Sequence, residues 1–323
     1  MHRRDFLKTA ASAGAMGLAA PNVARAQAAW PERPVKIIVP FAAGGATDLV
    51  ARPWADWLSK AFKQQFVIEN RGGASGMIGA EAAAKSTPDG YTFFFSSNTA
   101  TVTLPLIRKL TYDANSFMPV ARMGDSISGF VVHPSVGVKT FQEMIDYAKK
   151  NPGKLAFGSS GAGTLPHLRY EMLVLKTGID VLHVPYRGGA DTLNDLLAGN
   201  IQLMNEGSSL PHVKAGKIHL LNVNHFERFA AFPDVPTLTE VGVKDADVPA
   251  WFSLYAPGGT PIEITEKINA AVNQLAKTDE VKAKLELVAS VPIVQTIKEM
   301  HDYWELDKKR TGDLVKQAKI KFE

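Results

Sequence analysis

Along the first third of the chain, short apolar runs alternate with amphipathic ones. Val35-Lys36-Ile37-Ile38-Val39 is almost continuously apolar, the pattern of a strand buried on both faces of a parallel sheet. After the turn Pro40–Ala46, residues Leu49, Val50, Trp54, Trp57, Leu58 and Phe62 recur at helical spacing. Pro53 falls inside that stripe and predicts a kink or a late helix start. Phe66–Glu69 reads as the next strand, Met77–Lys85 as a helix and Tyr91–Ser96 as a third strand. This βαβαβ order predicts a right-handed parallel sheet with helices on both faces.

The middle of the chain repeats the theme. Thr140-Phe141-Gln142-Glu143 is a capping box that opens a helix through Lys150. Leu155–Phe157, Val181–Val184, Ile201–Met204 and Ile218–Val223 read as strands, with helices over Leu165–Lys176 and Asp191–Ala198. Further on, Thr260-Pro261-Ile262-Glu263 reads as a second box with Pro at the first helical position, ahead of a buried stripe Ile264, Ile268, Val272 and Leu275. Thr296-Ile297-Lys298-Glu299 starts the last helix. Extended segments at Ile127–His133 and Trp251–Pro257 join the two α/β units, which predicts two lobes and a cleft.

Composition narrows the class. With 323 residues, 46% hydrophobic and 21% charged, the chain can bury a sizeable core over about two domains, so general disorder is excluded. Cys is absent, which removes a disulfide scaffold, a thiol nucleophile and any Cys-ligated metal. The start is a separate matter. Arg3-Arg4-Asp5-Phe6-Leu7-Lys8, an Ala/Gly-rich stretch to Ala20 and Ala24-Arg25-Ala26 have the make-up of an export signal, of twin-arginine type by its arginine pair. Cleavage after Ala26 takes away Arg3, Arg4, Lys8, Arg25 and Asp5, which lowers the net charge from +4 to +1. The working protein is therefore near neutral, and no nucleic-acid or anionic-membrane surface is expected. The expected organisation is a signal peptide over 1–26, a first lobe from 27–132 plus 252–323, and a second lobe from 133–251, free in the periplasm.

The chemistry is carried by glycine turns. Four times a strand is followed by a turn rich in small residues and then a helix: at Ala42–Asp48, Asn70–Gly76, Gly158–Thr164 and Tyr186–Ala190. Ligands of open parallel sheets bind at such strand ends, where unpaired N–H groups of helix N-termini favour an anion. Enzyme motifs are weaker. Gly44-Gly45-Ala46-Thr47-Asp48 is neither a dinucleotide fingerprint nor a P-loop. Gly158-Ser159-Ser160-Gly161-Ala162 has the outline of a nucleophile elbow but ends in Ala, so an exported hydrolase using Ser160 stands only as an alternative. No histidine pair has metal spacing, and no cofactor is expected.

Val39-Pro40-Phe41-Ala42-Ala43-Gly44-Gly45-Ala46-Thr47-Asp48, then Val67-Ile68-Glu69-Asn70-Arg71-Gly72-Gly73-Ala74-Ser75-Gly76, resembles the solute-binding proteins of tripartite tricarboxylate transporters, the Bug family. So do Gly158–Gly163 after Asn151-Pro152-Gly153-Lys154, His183-Val184-Pro185-Tyr186-Arg187-Gly188-Gly189-Ala190, Pro233–Glu240 and Ala256–Pro261. The resemblance runs from about Pro34 to the C-terminus. It implies a two-lobed α/β periplasmic-binding-protein fold of type II-like plan, with two parallel or mixed sheets joined by two crossover strands. It also implies a small organic acid held partly through water, separate membrane permease subunits as partners, and no catalysis. Monomer is the default state, and a sensory receptor is the other use of the same architecture.

Carried over residue by residue, the grip falls on Phe41, Ala42, Gly45, Thr47 and Asp48, with Asn98 and Thr99 from the third strand's exit. Ser160, Gly161, Thr164 and His167 face them from the second lobe, with Tyr186, Arg187 and Gly188 beside them. Arg187 is a candidate partner for a second carboxylate, with a structural ion pair as the alternative. Asp48 suits a cap or an orienter of water better than a direct anion contact. Two departures bear on ligand choice. Asn205-Glu206 stands where family members often carry an Asp after the strand, and Asn222–Phe232 lacks the usual small-residue pattern.

Overall fold

The computed structural model describes residues 30–244, 246 and 249–317. The export signal expected over 1–26 lies outside them. Val35–Val39 (β1) pairs in parallel with Phe66–Asn70 (β2) on one side and Thr92–Ser97 (β3) on the other. Ala46–Phe62 (α1) joins β1 to β2, and Met77–Ala84 (α2) returns from β2 to β3. Because those two crossovers run in opposite directions along the sheet and right-handed connections are the rule, the helices cover opposite faces. Period-two alternation supplies both faces: Ile38 and Phe94 pack with Ala80 and Ala83 of α2. Trp54 and Leu58 of α1 are fully buried, and Trp54 Nε1 donates to the Met123 carbonyl at 3.0 Å.

Two points differ from the expected pattern here. Pro53 sits within α1, which begins at Ala46, so the late start is not seen. The other is a strand that the apolar pattern does not announce, Phe117–Ser126 (β4), after the short helix Leu104–Ile107 (α3). Its sequence includes Pro119, Arg122, Gly124 and Asp125, yet it is buried from Val120 onward. Arg122 Nε donates to Asp125 Oδ1 at 2.9 Å, and the guanidinium lies 3.6 Å from the Tyr303 ring centroid. The charges are thus matched inside the fold.

Ala250–Pro257 (β10) runs antiparallel between β3 and β4 and is buried almost throughout. With Ser290–Val291 (β11) at the edge, the first sheet has six strands in the order β11-β4-β10-β3-β1-β2. The second sheet has five, ordered β7-β6-β8-β5-β9: Val131–Val132 (β5), Ala156–Ser159 (β6), Leu182–Pro185 (β7), Leu203–Met204 (β8) and His219–Leu220 (β9). Both belong to one compact unit that begins at Arg33. The chain passes between the sheets twice, leaving the first sheet at the end of β4 and returning to it at the start of β10. β4 and β10 are therefore the two crossover strands, paired side by side in the first sheet.

Helices Phe141–Lys150 (α4), Leu165–Thr177 (α5), Gly189–Leu197 (α6) and Leu210–Lys214 (α7) accompany the second sheet. The α4 capping box forms as expected, Thr140 Oγ1 accepting from Glu143 N and Glu143 Oε2 from Thr140 N. Ile262–Leu275 (α8), Asp279–Glu286 (α9) and Ile297–Gln317 (α10) close the chain. The box at Thr296–Glu299 forms as well. The one at Thr260 does not: its hydroxyl turns back to the Pro257 carbonyl at 2.8 Å, and Pro261 is the cap residue. α10 ties the exit of β3 to β10, because Asp307 accepts from Asn98 Nδ2 at 2.9 Å and from Trp251 Nε1 at 2.6 Å.

Candidate ligand-binding cleft

The turns that follow β1, β6 and β7 bring three helix N-termini to one place between the sheets. A methyl group built on Gly45, the cap of α1, would lie 3.8 Å from the backbone nitrogens of Gly189 and Ala190 at the start of α6. From α5, Leu165 N donates to Thr99 Oγ1 at 3.4 Å across the cleft. Ser75, in the left-handed region at φ 58°, donates to the Ala162 carbonyl at 2.7 Å and forms a second clasp between the two sides.

Between them lies a cavity of about 50 Å³, room for a few waters at about 10–15 Å³ each. Phe41, Gly45, Ala46 and Thr47 line it from the first turn, and Ser97, Thr99 and Phe252 from β3 and β10. Ser126 and Ser128 come from the first crossover, Ser160 from the β6 turn, and Leu165, Pro166 and Arg169 from α5. Gly189, Asn205, Glu206 and Gly207 complete the second side.

Arg169 supplies the cavity's cation. It is 2% exposed, and Nη1 donates to Ser128 Oγ at 2.7 Å and Asn205 Oδ1 at 3.1 Å. Asn205 is held in turn through Asn224, which also accepts from Asn222. Glu206, at 7% exposure, faces Ser160. Burial pushes its carboxyl up to about 7, while the Ser160 hydrogen bonds and the Arg169 charge pull it down. A buried arginine, several hydroxyls and three helix N-termini make a site suited to a carboxylate.

Of the expected grip residues, Phe41, Gly45, Thr47, Thr99 and Ser160 line this cavity. The others do different work. Asp48 Oδ2 accepts from Gly44 N at 2.8 Å, and its oxygens also hold Arg52 and Asn70, so it fixes the first turn. Ala42 lies against Gly188, the α6 cap. Asn98 turns to Asp307, and Thr164 Oγ1 donates to the Gly161 carbonyl at 2.7 Å, which braces the β6 turn. His167 Nδ1 accepts from Gly163 N at 2.9 Å while its ring stacks on His183. Arg187 is exposed and, with Tyr186, lines a separate surface groove; Tyr186 donates to Asp195. The histidine beside the possible nucleophile elbow, His183, bonds Ser159 Oγ at 2.7 Å, whereas Ser160 meets Glu206.

Arg169 and Glu206 are the residues that the turn-based reading missed as contacts. Arg169 had a signal: it shares a helix face with Leu165, Leu168, Met172 and Leu173, all buried. A cation inside an apolar stripe needs a partner.

Residues 50–319 match the family described as tripartite tricarboxylate transporter family receptor. The chain belongs to this family. It is 31% identical over 312 residues to the protein BugT of Bordetella pertussis, covering 95% of each chain. Among solved structures, an R. palustris protein with adipate superposes with a TM-score of 0.87 at 34% identity, covering 90% of this chain and 99% of that one. MatC from Rhodopseudomonas palustris, with bound malate, gives 0.83 at 29% identity, covering 88% and 100%. The family and these neighbours are binding proteins, not enzymes, so the hydrolase alternative falls. Among the described residues, no helix is long and apolar enough to cross a membrane.

Proposed function

We propose that this member of the family is a periplasmic receptor that captures a small organic carboxylate between two lobes and delivers it to separate membrane permease subunits. The lobes are 27–132 with 252–323, and 133–251; the leader 1–26 is removed on export, and the receptor acts as a monomer. The observation that carries the reading is Arg169, a buried cation inside a cavity walled by hydroxyls and helix N-termini. The relatives bound to adipate and malate support it.

A cavity of about 50 Å³ is too small for an acid of several carbons, so capture requires the walls to part and then close. Contacts to both sides favour the closed state, because the acid bridges the two lobes only there. The test is thermal unfolding of refolded mature protein against succinate, malate, adipate and citrate, with their amides as controls. An acid at about 100 times its Kd adds about 2.7 kcal/mol and raises Tm by several degrees. Equal response to acid and amide would sink the reading.

A further inference from the structure

Glu206 is the feature of the cleft that a simple anion trap does not need. It puts a second carboxyl into the cavity that is to receive a carboxylate, and among the described residues its Oε1 meets no hydrogen-bond partner. Crowding holds it there: a methyl group built on Gly189 would come within 1.9 Å of Oε2. With Oε2 seated against the start of α6, Oε1 is the oxygen left for a ligand.

We propose, building on the carboxylate reading above, that Glu206 takes up a proton as the acid binds and donates it from Oε1 to one ligand carboxylate, while Arg169 pairs with the same ligand. The balance is simple. Ionised Glu206 gains one proton from solvent, and the bound state holds a carboxylic acid hydrogen-bonded to a carboxylate. No covalent bond to the ligand changes. Two carboxylates side by side in a dry cavity repel, and sharing one proton removes that repulsion. The uptake is accessible near neutrality because burial already brings the group to about 7.

Neighbouring charges leave this role to Glu206. Arg169 of α5 acts on it directly. Further along α5, Glu171 pairs with His167, which stacks on His183. Asp48 of α1 is committed to Arg52 and Asn70, and Asp125 of β4 to Arg122, with His225 acting on Asp125. Arg187 and Asp191, at the start of α6, are exposed. The ligand class that follows is a fully ionised acid with no ammonium group against Glu206.

Calorimetry on the whole mature protein tests this, with succinate, malate and adipate titrated from about pH 6 to about pH 9 in buffers of different ionisation enthalpy. Expected is uptake of about one proton per acid bound at about pH 8, with affinity falling about tenfold per pH unit above about 7. Glu206→Gln carries a permanent donor, so it should bind with little pH dependence and without proton uptake. Binding without proton uptake in the native protein would overturn the proposal, whether or not the variant folds. Affinity that is lost as pH falls below about 7 would overturn it too, since ionised Glu206 would then be the form that binds, as an acceptor from a ligand hydroxyl. Silence from both proteins toward every acid, at every pH, would bring down the carboxylate reading itself and this proposal with it.

Discussion

Replacing Arg169 with Met keeps an unbranched apolar stem and removes the guanidinium with its charge. In the native cleft the guanidinium donates to Ser128 and Asn205, and it lies 2% exposed beside the cavity. A hydrogen bond to a charged group contributes about 1.5–3 kcal/mol, and truncating one member of a buried charge pair costs about 2–5 kcal/mol in binding. The expected loss in acid binding is therefore about 2–4 kcal/mol, or roughly 30- to 1,000-fold in Kd. Stability should fall less, by about 1–2 kcal/mol, because Glu206 at about 7 can take a proton rather than stay as an uncompensated buried charge. Titration calorimetry with the best acid of the panel gives the first number, and urea unfolding gives the second. Arg169→Lys keeps the charge without the planar fork and should recover part of the affinity. If Arg169→Met folds and binds acids within about threefold of the native protein, the assignment of Arg169 as the anion partner is wrong.

Three further outcomes follow from named contacts. Ser75→Ala removes the clasp to Ala162 and should weaken acid binding about fivefold, a net hydrogen bond of about 1 kcal/mol; unchanged scattering of the acid-bound form together with unchanged Kd would mean that the clasp does not hold closure. Burial and the adjacent His167 hold His183 down at about 4, against 6.5 when free. The unfolded chain then binds the extra proton first, so stability is full above about 6.5 and falls as pH drops toward 4. With the ring only half-buried, the loss is about 1–2 kcal/mol, and a urea midpoint in His183→Gln that still drops as steeply would assign it to other groups. Asp307→Ala strands the buried Asn98 and Trp251 donors and should cost about 3 kcal/mol, read as a lower urea midpoint at constant slope; a shift under about 0.5 kcal/mol would contradict that role.

How much of this was legible beforehand divides along physical lines. The turns after β1 and β6 were readable because Gly44–Thr47 and Gly158–Gly163 each lie between a strand and a helix, a purely local pattern. Phe41, Gly45, Thr47 and Ser160 reached the cavity for that reason, and Thr99 followed from the exit of β3. The residues with direct grip on the resemblance's motif but turned elsewhere, such as Asn98 and Thr164, are satisfied by partners that only the folded chain provides: Asp307 is 209 positions from Asn98, and Thr164 closes on its own turn.

The sequence alone determined the α/β class, the order of β1 through β3, most helix starts, the glycine turns and the family, since each rests on local periodicity, capping or a contiguous motif. Tertiary structure decided that Phe117–Ser126 is a strand, because its buried Arg122 and Asp125 are stable only once paired with each other and covered by Tyr303. It also decided the charge in the cleft. Arg169 and Glu206 sit 37 positions apart on a helix and after a strand, and only burial in one cavity turns two ordinary surface-type residues into a cation for an acid and a carboxyl that can share its proton.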